Sequence, residues 1–231
     1  MAKPAKPPSR AAKPKVPRGP NAERRAATRA KIMEAAVRCL AEFGYAATST
    51  PLVARLAKVS RGSLLHQFPT KVDLILGVAE YASRARGAAV REKLAPYPDG
   101  PERFLQGVDA VWASLQAPAS IALMEITIAT RSDPELAARY PEFADDLDAQ
   151  LHRSRRRMAE YLGVPERTEE IDVLAHLTRV ALNGLAMESV FIGRQSPDAP
   201  KVLALLKSIR QRLLDSLKTG GEPPVGKIDH K

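Results

Sequence analysis

The sequence predicts an all-α protein, with a three-helix helix-turn-helix unit near the N-terminus and a larger helical part behind it. Three observations carry that prediction. Ala and Leu are abundant, aromatic residues make up only 5% of the chain and β-branched runs are few, so strand signals are weak. Apolar residues recur at spacings of three and four, the period of one helix face. The stretch from Thr48 to Leu74, TSTPLVARLAKVSRGSLLHQFPTKVDL, reads as two short helices joined by a tight turn, with a third helix starting at once. A chain of 231 residues can bury a substantial core without disulfide or metal staples.

Residues 1–22 contain six prolines and six Lys or Arg, with almost nothing to bury, and are expected to form a disordered basic arm. Such an arm either keeps the chain soluble or tracks the phosphates of a nucleic acid, and both readings stand open. From residue 23 the pattern turns helical. Ile32, Ala36, Leu40 and Phe43 form one stripe, and Gly44 is a fitting stop. Thr50 is the cap candidate for the next helix, with Pro51 at its first helical position and Val53, Leu56 and Ala57 on its inner face. Lys58-Val59-Ser60 is the break, and Ser60 caps the following helix. Leu64 and Phe68, four apart, form that helix's buried stripe and leave Arg61, Ser63, His66 and Gln67 pointing elsewhere. Two short helices at a steep angle, the second with a small, polar, basic outer face, suit a DNA major groove.

Pro69 closes the second short helix. Thr70 caps a longer one that runs from Lys71 through Ile75, Val78, Ala79 and Ala82 to about Leu94. Proline and glycine punctuation then divides the remainder into helices expected at 101–115, 119–131, 141–162, 166–192 and 197–217. The expected organisation is therefore an arm (1–22), a helix-turn-helix unit (23–82), a larger helical part (83–218) and a frayed tail (219–231).

The net charge of +10 is unevenly spread. Residues 1–25 hold eight Lys or Arg against one acid, residues 26–95 hold eleven against five, and residues 96–231 hold seventeen against twenty. A polyanion partner suits the N-terminal end and not the C-terminal one. The single cysteine, Cys39, excludes an internal disulfide and fits a reducing compartment, either as a small core residue or as a redox sensor. No apolar run approaches the ~20 residues of a membrane span, and nothing resembles a secretory signal, so a cytoplasmic protein without membrane partners is expected. The four His residues are scattered, and no HExxH, GxSxG, P-loop or GxGxxG pattern occurs. No enzyme, cofactor or metal is expected. Arg153, Arg155, Arg156 and Arg157 follow Asp145, Asp146 and Asp148 by a turn or two, and read as a salt-bridged helix face.

KIMEAAVRCLAEFGY, followed by TST, VA, VSRGSLLHQF and PTKVDLI in that order, resembles the DNA-binding domain of the TetR-type (tetracycline-repressor-like) family of bacterial transcriptional regulators. The resemblance covers residues 28–81, roughly a quarter of the chain. It implies groove-facing positions for Thr50, Arg61, Ser63 and His66, and a phosphate contact for Lys71 at a helix start. Arg61 either pairs with a guanine edge or touches phosphate. Gly62 either allows the backbone close to DNA or serves packing. Two positions depart from the family pattern. Lys58 stands where glycine is common, which costs the turn some backbone energy or bends it differently. Leu65 stands where a tyrosine hydroxyl commonly meets a phosphate, so that contact is lost or passes to His66 or Gln67.

The resemblance also implies a ligand pocket and a dimer interface among the C-terminal helices. His176 and Asn183 interrupt an apolar helix, so a ligand or another protein group should partner them. Trp112, Met124, Ile128, Met158, Tyr161 and Met187 line the same space or simply pack the core. Leu182, Leu185, Leu203, Leu206, Ile209, Leu213 and Leu217 are the expected four-helix dimer seam. The function expected is a homodimeric transcriptional regulator, a repressor released from a palindromic double-stranded DNA operator by a small-molecule effector. A ligand-independent architectural DNA-binding protein is the alternative.

Overall fold

A computed structural model describes residues 20–219, and every regular element among them is helical. The expectations for most of the arm and the tail fall outside the described residues. Helix α1 (Pro20–Ala47) begins where the arm was expected to end, and it buries Ile32, Met33, Ala36, Val37, Cys39 and Leu40. Gly44 interrupts α1 with φ 75 and ψ 176, a left-handed φ that glycine tolerates and other residues rarely do. The stripe ends earlier than expected. Phe43 is 52% exposed, because the chain bends immediately after it and Tyr45, beyond the bend, fills the inward place.

Helix α2 (Thr50–Ala57) is capped by Ser49 rather than Thr50. The Ser49 hydroxyl accepts from the Leu52 backbone N–H, so Thr50 and Pro51 occupy the first two helical positions. Lys58 ends α2 in the left-handed region (φ 54, ψ 44), the only non-glycine residue with positive φ among those described. The turn thus keeps the glycine-type bend and carries the backbone cost with it. Ser60 caps α3 (Arg61–Gln67) through the Ser63 N–H, as its position predicts. Thr70 and Asp73 cap α4 (Lys71–Leu94) reciprocally, each side chain bonding the other's backbone N–H.

Helices α5 (Pro101–Leu115) and α6 (Pro118–Ala129) follow closely where they are expected. Helix α7 (Pro134–Tyr161) starts seven residues before the helix start predicted at Pro141 and runs through that proline. Pro141 is exposed, so water can solvate the carbonyl it leaves unpaired. Leu136, Tyr140 and Phe143, on either side, hold the helix to the core. A 3-10 turn (Pro165–Arg167), α8 (Thr168–Ile192) and α9 (Ala199–Thr219) complete the described chain. No single helix among the described residues is long and apolar enough to cross a membrane.

The largest apolar cluster joins α1–α4 to Ala122, Leu123, Ile126 and Ala129 of α6 and to Leu136 of α7. The expected boundary at residue 82 falls inside α4, and this core does not stop there. A second cluster unites α5, α8 and α9 around Val108, Leu182, Leu185 and Leu206. A third gathers Phe104, Ala159, Ile171, Leu174 and Leu213.

Candidate nucleic-acid interface

Helix α3 is held from below and open above. Leu64 and Phe68 are buried, and Leu65 packs partly against the same core. Phe68 fits because Gly77 on α4 has no side chain. A Cβ there would come within 2.8 Å of the Phe68 ring. The Arg29 guanidinium covers the ring from the α1 side, 4.6 Å from its centroid. A helix of seven residues has little stability alone, so this seat fixes its orientation.

What remains outward is small, polar and basic. Arg61, Gly62 and His66 are exposed, while Ser63, Gln67 and Thr50 are half-buried. A Cβ at Gly62 would meet nothing within 4 Å, so no packing inside the chain requires glycine there. Asn21, Arg24, Arg25 and Thr28 of α1 face Ser63, His66 and Gln67 of α3 across an open groove. Sequence reasoning missed this flank. The signal was present in the Arg24-Arg25 pair lying ahead of the first buried position, Ile32.

Lys71 does not stand out toward a phosphate. Its ammonium turns inward, donates to the Tyr45 carbonyl at 3.1 Å and sits 4.0 Å above the Tyr45 ring. Burial holds its pKa below the usual lysine range. The chain bend at Gly44 presents that carbonyl beside the start of α4, and the lysine satisfies it.

Tyr45 is also the junction with the rest of the molecule. Its backbone N–H donates to Glu125 of α6 at 3.1 Å, and its hydroxyl donates to the Asp133 carboxylate. Asp133 in turn accepts from the Leu136 N–H and caps α7. Arg139 of α7 reaches back to Asp73 of α4 at 2.8 Å. Both carboxylates are held below the usual range, Asp73 chiefly by Arg139 and Asp133 chiefly by the Tyr45 hydroxyl.

The C-terminal candidates are spread out. Trp112 and Met124 pack against the α5–α8–α9 cluster, and Met158 against the third cluster. Tyr161 is half-buried, and burial raises its phenol pKa. Asn183 and Met187 are half-buried on α8. Ile128 is 44% exposed rather than in a cavity wall. His176 is exposed as well, its Nδ1 2.9 Å from the Arg179 guanidinium, so it is not the buried polar group the apolar helix suggested. Arg155 pairs with Asp148 and crosses to Asp172 of α8, while Arg156 pairs with Glu160, which gives the basic cluster its salt-bridged face.

Residues 32–78, spanning the buried half of α1 through the first turns of α4, match the family described as bacterial regulatory proteins, tetR family. The chain carries a DNA-binding domain of the TetR type. It is 38% identical to the HTH-type transcriptional regulator CymR of Pseudomonas putida over 122 residues, half of this chain and 57% of that one. It is 26% identical to the HTH-type transcriptional repressor AcnR of Corynebacterium efficiens over 190 residues, covering 80% of this chain and 93% of the repressor. Its fold matches the crystal structure of a transcriptional regulator from Rhodococcus sp. Rha1 with a TM-score of 0.58 at 18% identity, over 83% of this chain and 96% of that one. The helix-turn-helix and the all-helical body are thus those of a regulator of transcription.

Proposed function

We propose that this TetR-type regulator is a cytoplasmic homodimeric repressor that binds a palindromic operator and leaves it when a small molecule binds among the C-terminal helices. The observation that carries the reading is the position of α3, seated on a core that continues without a gap into α6 and α7. A ligand that shifts α6 or α7 therefore moves the seat of the reading helix. It acts in this way only if it binds the two arrangements with different affinity.

On the DNA side, Arg61, Ser63, His66 and the bare backbone at Gly62 meet the major groove. Thr50 stands at the start of the neighbouring helix, and Arg24 and Arg25 stand over the flanking phosphates. The reading unit comprises residues 23–82, and residues 83–218 supply the effector site and the dimer contact. The expected seam residues Leu182, Leu185, Leu206 and Leu213 are buried within one protomer, so they are spent on its own core. The free stripe of α8 lies a fraction of a turn away: Val173, Leu177, Val180 and Phe191, with Leu205 of α9 also exposed. Its helical spacing over more than four turns supports a second copy of this chain as occupant, with Gly184 leaving room at the middle.

Fluorescence anisotropy on DNA from the chain's own promoter region and on a scrambled duplex, across a salt series, tests the reading. Operator binding well above scrambled binding at every salt concentration is expected, with a slope set by phosphate contacts. Equal affinity for both duplexes points instead to a ligand-independent architectural protein.

A further inference from the structure

Several ion pairs cross between helices. Lys207 with Asp109, His152 with Asp172 and Arg155 with Asp172 tie helices of the C-terminal part to one another. Arg139 of α7 does something else. Its Nη2 lies 2.8 Å from Asp73 Oδ1, so it bonds the first turn of α4, 66 positions away in sequence. That turn follows the reading helix at once. Helix α3 ends at Gln67, and Phe68, Pro69 and Thr70 make the corner before Lys71 opens α4.

Asp73 uses both carboxylate oxygens. Oδ2 accepts the Thr70 backbone N–H and the Thr70 hydroxyl, each at 2.9 Å, while Oδ1 takes the guanidinium. The carboxylate therefore joins α7 to the corner where α3 turns into α4, through charge-assisted bonds of good length. A second link starts at the cap of α7. Asp133 takes the Tyr45 hydroxyl, and the Tyr45 carbonyl takes Lys71, again in the first turn of α4. One link alone leaves a pivot, whereas two links, at Asp133 and at Arg139, oppose rotation of that turn against α7. Helix α3 buries Leu64 and, at its cap, Phe68, so its direction depends on this corner as well as on its seat.

We infer that Arg139 is a positioning residue for DNA recognition: through Asp73 and Thr70 it holds the angle at which α3 is presented, and so the selectivity of the operator contact. The inference rests on the reading above in which α3 meets the operator, and it names the link by which movement of α7 reaches that helix. The Arg139 side chain is 45% exposed, and a pair so open to water adds little to global stability. Its effect is on geometry. Base-edge hydrogen bonds are lost when a reading helix tilts, while attraction to phosphates is largely kept.

Anisotropy of the full chain on a duplex from its own promoter region and on a scrambled duplex, with thermal melts alongside, tests the assignment. Arg139→Met keeps the aliphatic stem and removes the charge and the donors. Its operator-to-scrambled affinity ratio should fall roughly fivefold or more, the equivalent of about one lost base-pair match. Its Tm should fall by no more than about 3 °C. Arg139→Lys keeps a charged donor and should recover most of the ratio. Asp73→Asn retains an acceptor for the Thr70 N–H, loses the carboxylate that Arg139 needs, and should reproduce the loss; it decides the matter if Arg139→Met does not fold. Arg131→Met removes an exposed charge between α6 and α7 and should leave the ratio unchanged. An unchanged ratio in Arg139→Met or Asp73→Asn overturns the inference. Equal weakening on both duplexes, or the same fall in Arg131→Met, also overturns it, since charge alone then explains the effect. A ratio lost only together with Tm, and not recovered by Arg139→Lys, marks a contribution to folding and overturns it too. A parent chain without operator preference removes the repressor reading and this inference with it. A parent with that preference and an indifferent Arg139→Met keeps the reading and removes only the positioning role.

Discussion

The Tyr45 hydroxyl donates to the Asp133 carboxylate, so the residue just past the bend in α1 is bonded to the cap of α7, 88 positions away in sequence. The same tyrosine accepts the Lys71 ammonium at its carbonyl and gives its N–H to Glu125. One residue thereby touches α4, α6 and the start of α7, where the DNA-reading helices meet the remainder of the fold.

This junction predicts an acid sensitivity. Asp133 and Asp73 are both depressed below the ordinary carboxylate value of 3.8, by the Tyr45 hydroxyl and by Arg139 respectively. A carboxylate depressed on folding contributes stability that is fully present above the unfolded pKa and is lost as pH falls through the folded one. Urea midpoints should therefore hold from neutrality to about pH 5 and decline through pH 4 and below. Tyr45→Phe, which removes the donor and keeps the ring, should make that decline shallower and cost about 1 kcal/mol at pH 7. An unchanged acid limb in Tyr45→Phe would show that the bond does not matter to stability.

Lys58→Gly should stabilise the fold. The lysine holds a left-handed conformation with φ 54 at the end of α2, which glycine adopts freely. A strain of about 1–2 kcal/mol is relieved, and part of it returns as extra freedom of the unfolded chain, leaving a net gain of about 0.5–1 kcal/mol. Chemical denaturation measures it, and a loss of stability would mean that the lysine side chain makes a compensating contact.

Gly62 and Gly77 should behave oppositely when changed to alanine. At Gly62 a methyl group meets nothing within the chain, so Tm should stay within a few degrees while affinity for operator DNA falls. At Gly77 the methyl group meets the Phe68 ring at 2.8 Å, so stability should drop by about 1–3 kcal/mol as the ring is displaced. Equal operator affinity in Gly62→Ala and the parent would place α3 farther from DNA than proposed.

Leu177→Glu and Val180→Glu should release monomers without unfolding them. Both side chains are exposed in the protomer, at 45% and 53%, so a charge there costs the isolated chain little. Sedimentation velocity should show the loss of dimer, and operator binding should fall with it because each half-site needs its own protomer. A dimer that persists in both variants would place the interface elsewhere.

Arg61→Ala should relax preference at one base position in each half-site, worth roughly 1–3 kcal/mol of discrimination. Arg24→Ala and Arg25→Ala should instead weaken operator and scrambled DNA alike and flatten the salt slope. Competition against operator variants distinguishes the two patterns, and a uniform loss in Arg61→Ala would make it a phosphate contact.

The helices were readable because their signals are local. Ser60 and Thr70 cap where hydroxyl spacing places them, and 101–115 matches α5 residue for residue. The errors arose where tertiary contacts outweigh local preference. Local punctuation starts a helix at Pro141, yet packing on both sides carries α7 through it. Lys71 matched a motif, but the direction of its side chain depends on the Tyr45 carbonyl, 26 residues earlier, which the bend at Gly44 exposes. Leu182 and Leu185 lie buried within the chain for a related reason: α8 has apolar residues around much of its circumference, and only the packing of α5 and α9 decides which of them remain free.

The apolar cluster that runs from α1 into α6 limits how this protein can be rebuilt. A chimera cut within α4 would carry away the wall against which Ala122, Leu123, Ile126 and Ala129 are packed. The donor head would present its own bare underside to a foreign body. Exchanging operator preference should therefore succeed by recutting only the upper surface of α3, while a whole-head transplant needs matching residues on α6 to travel with it.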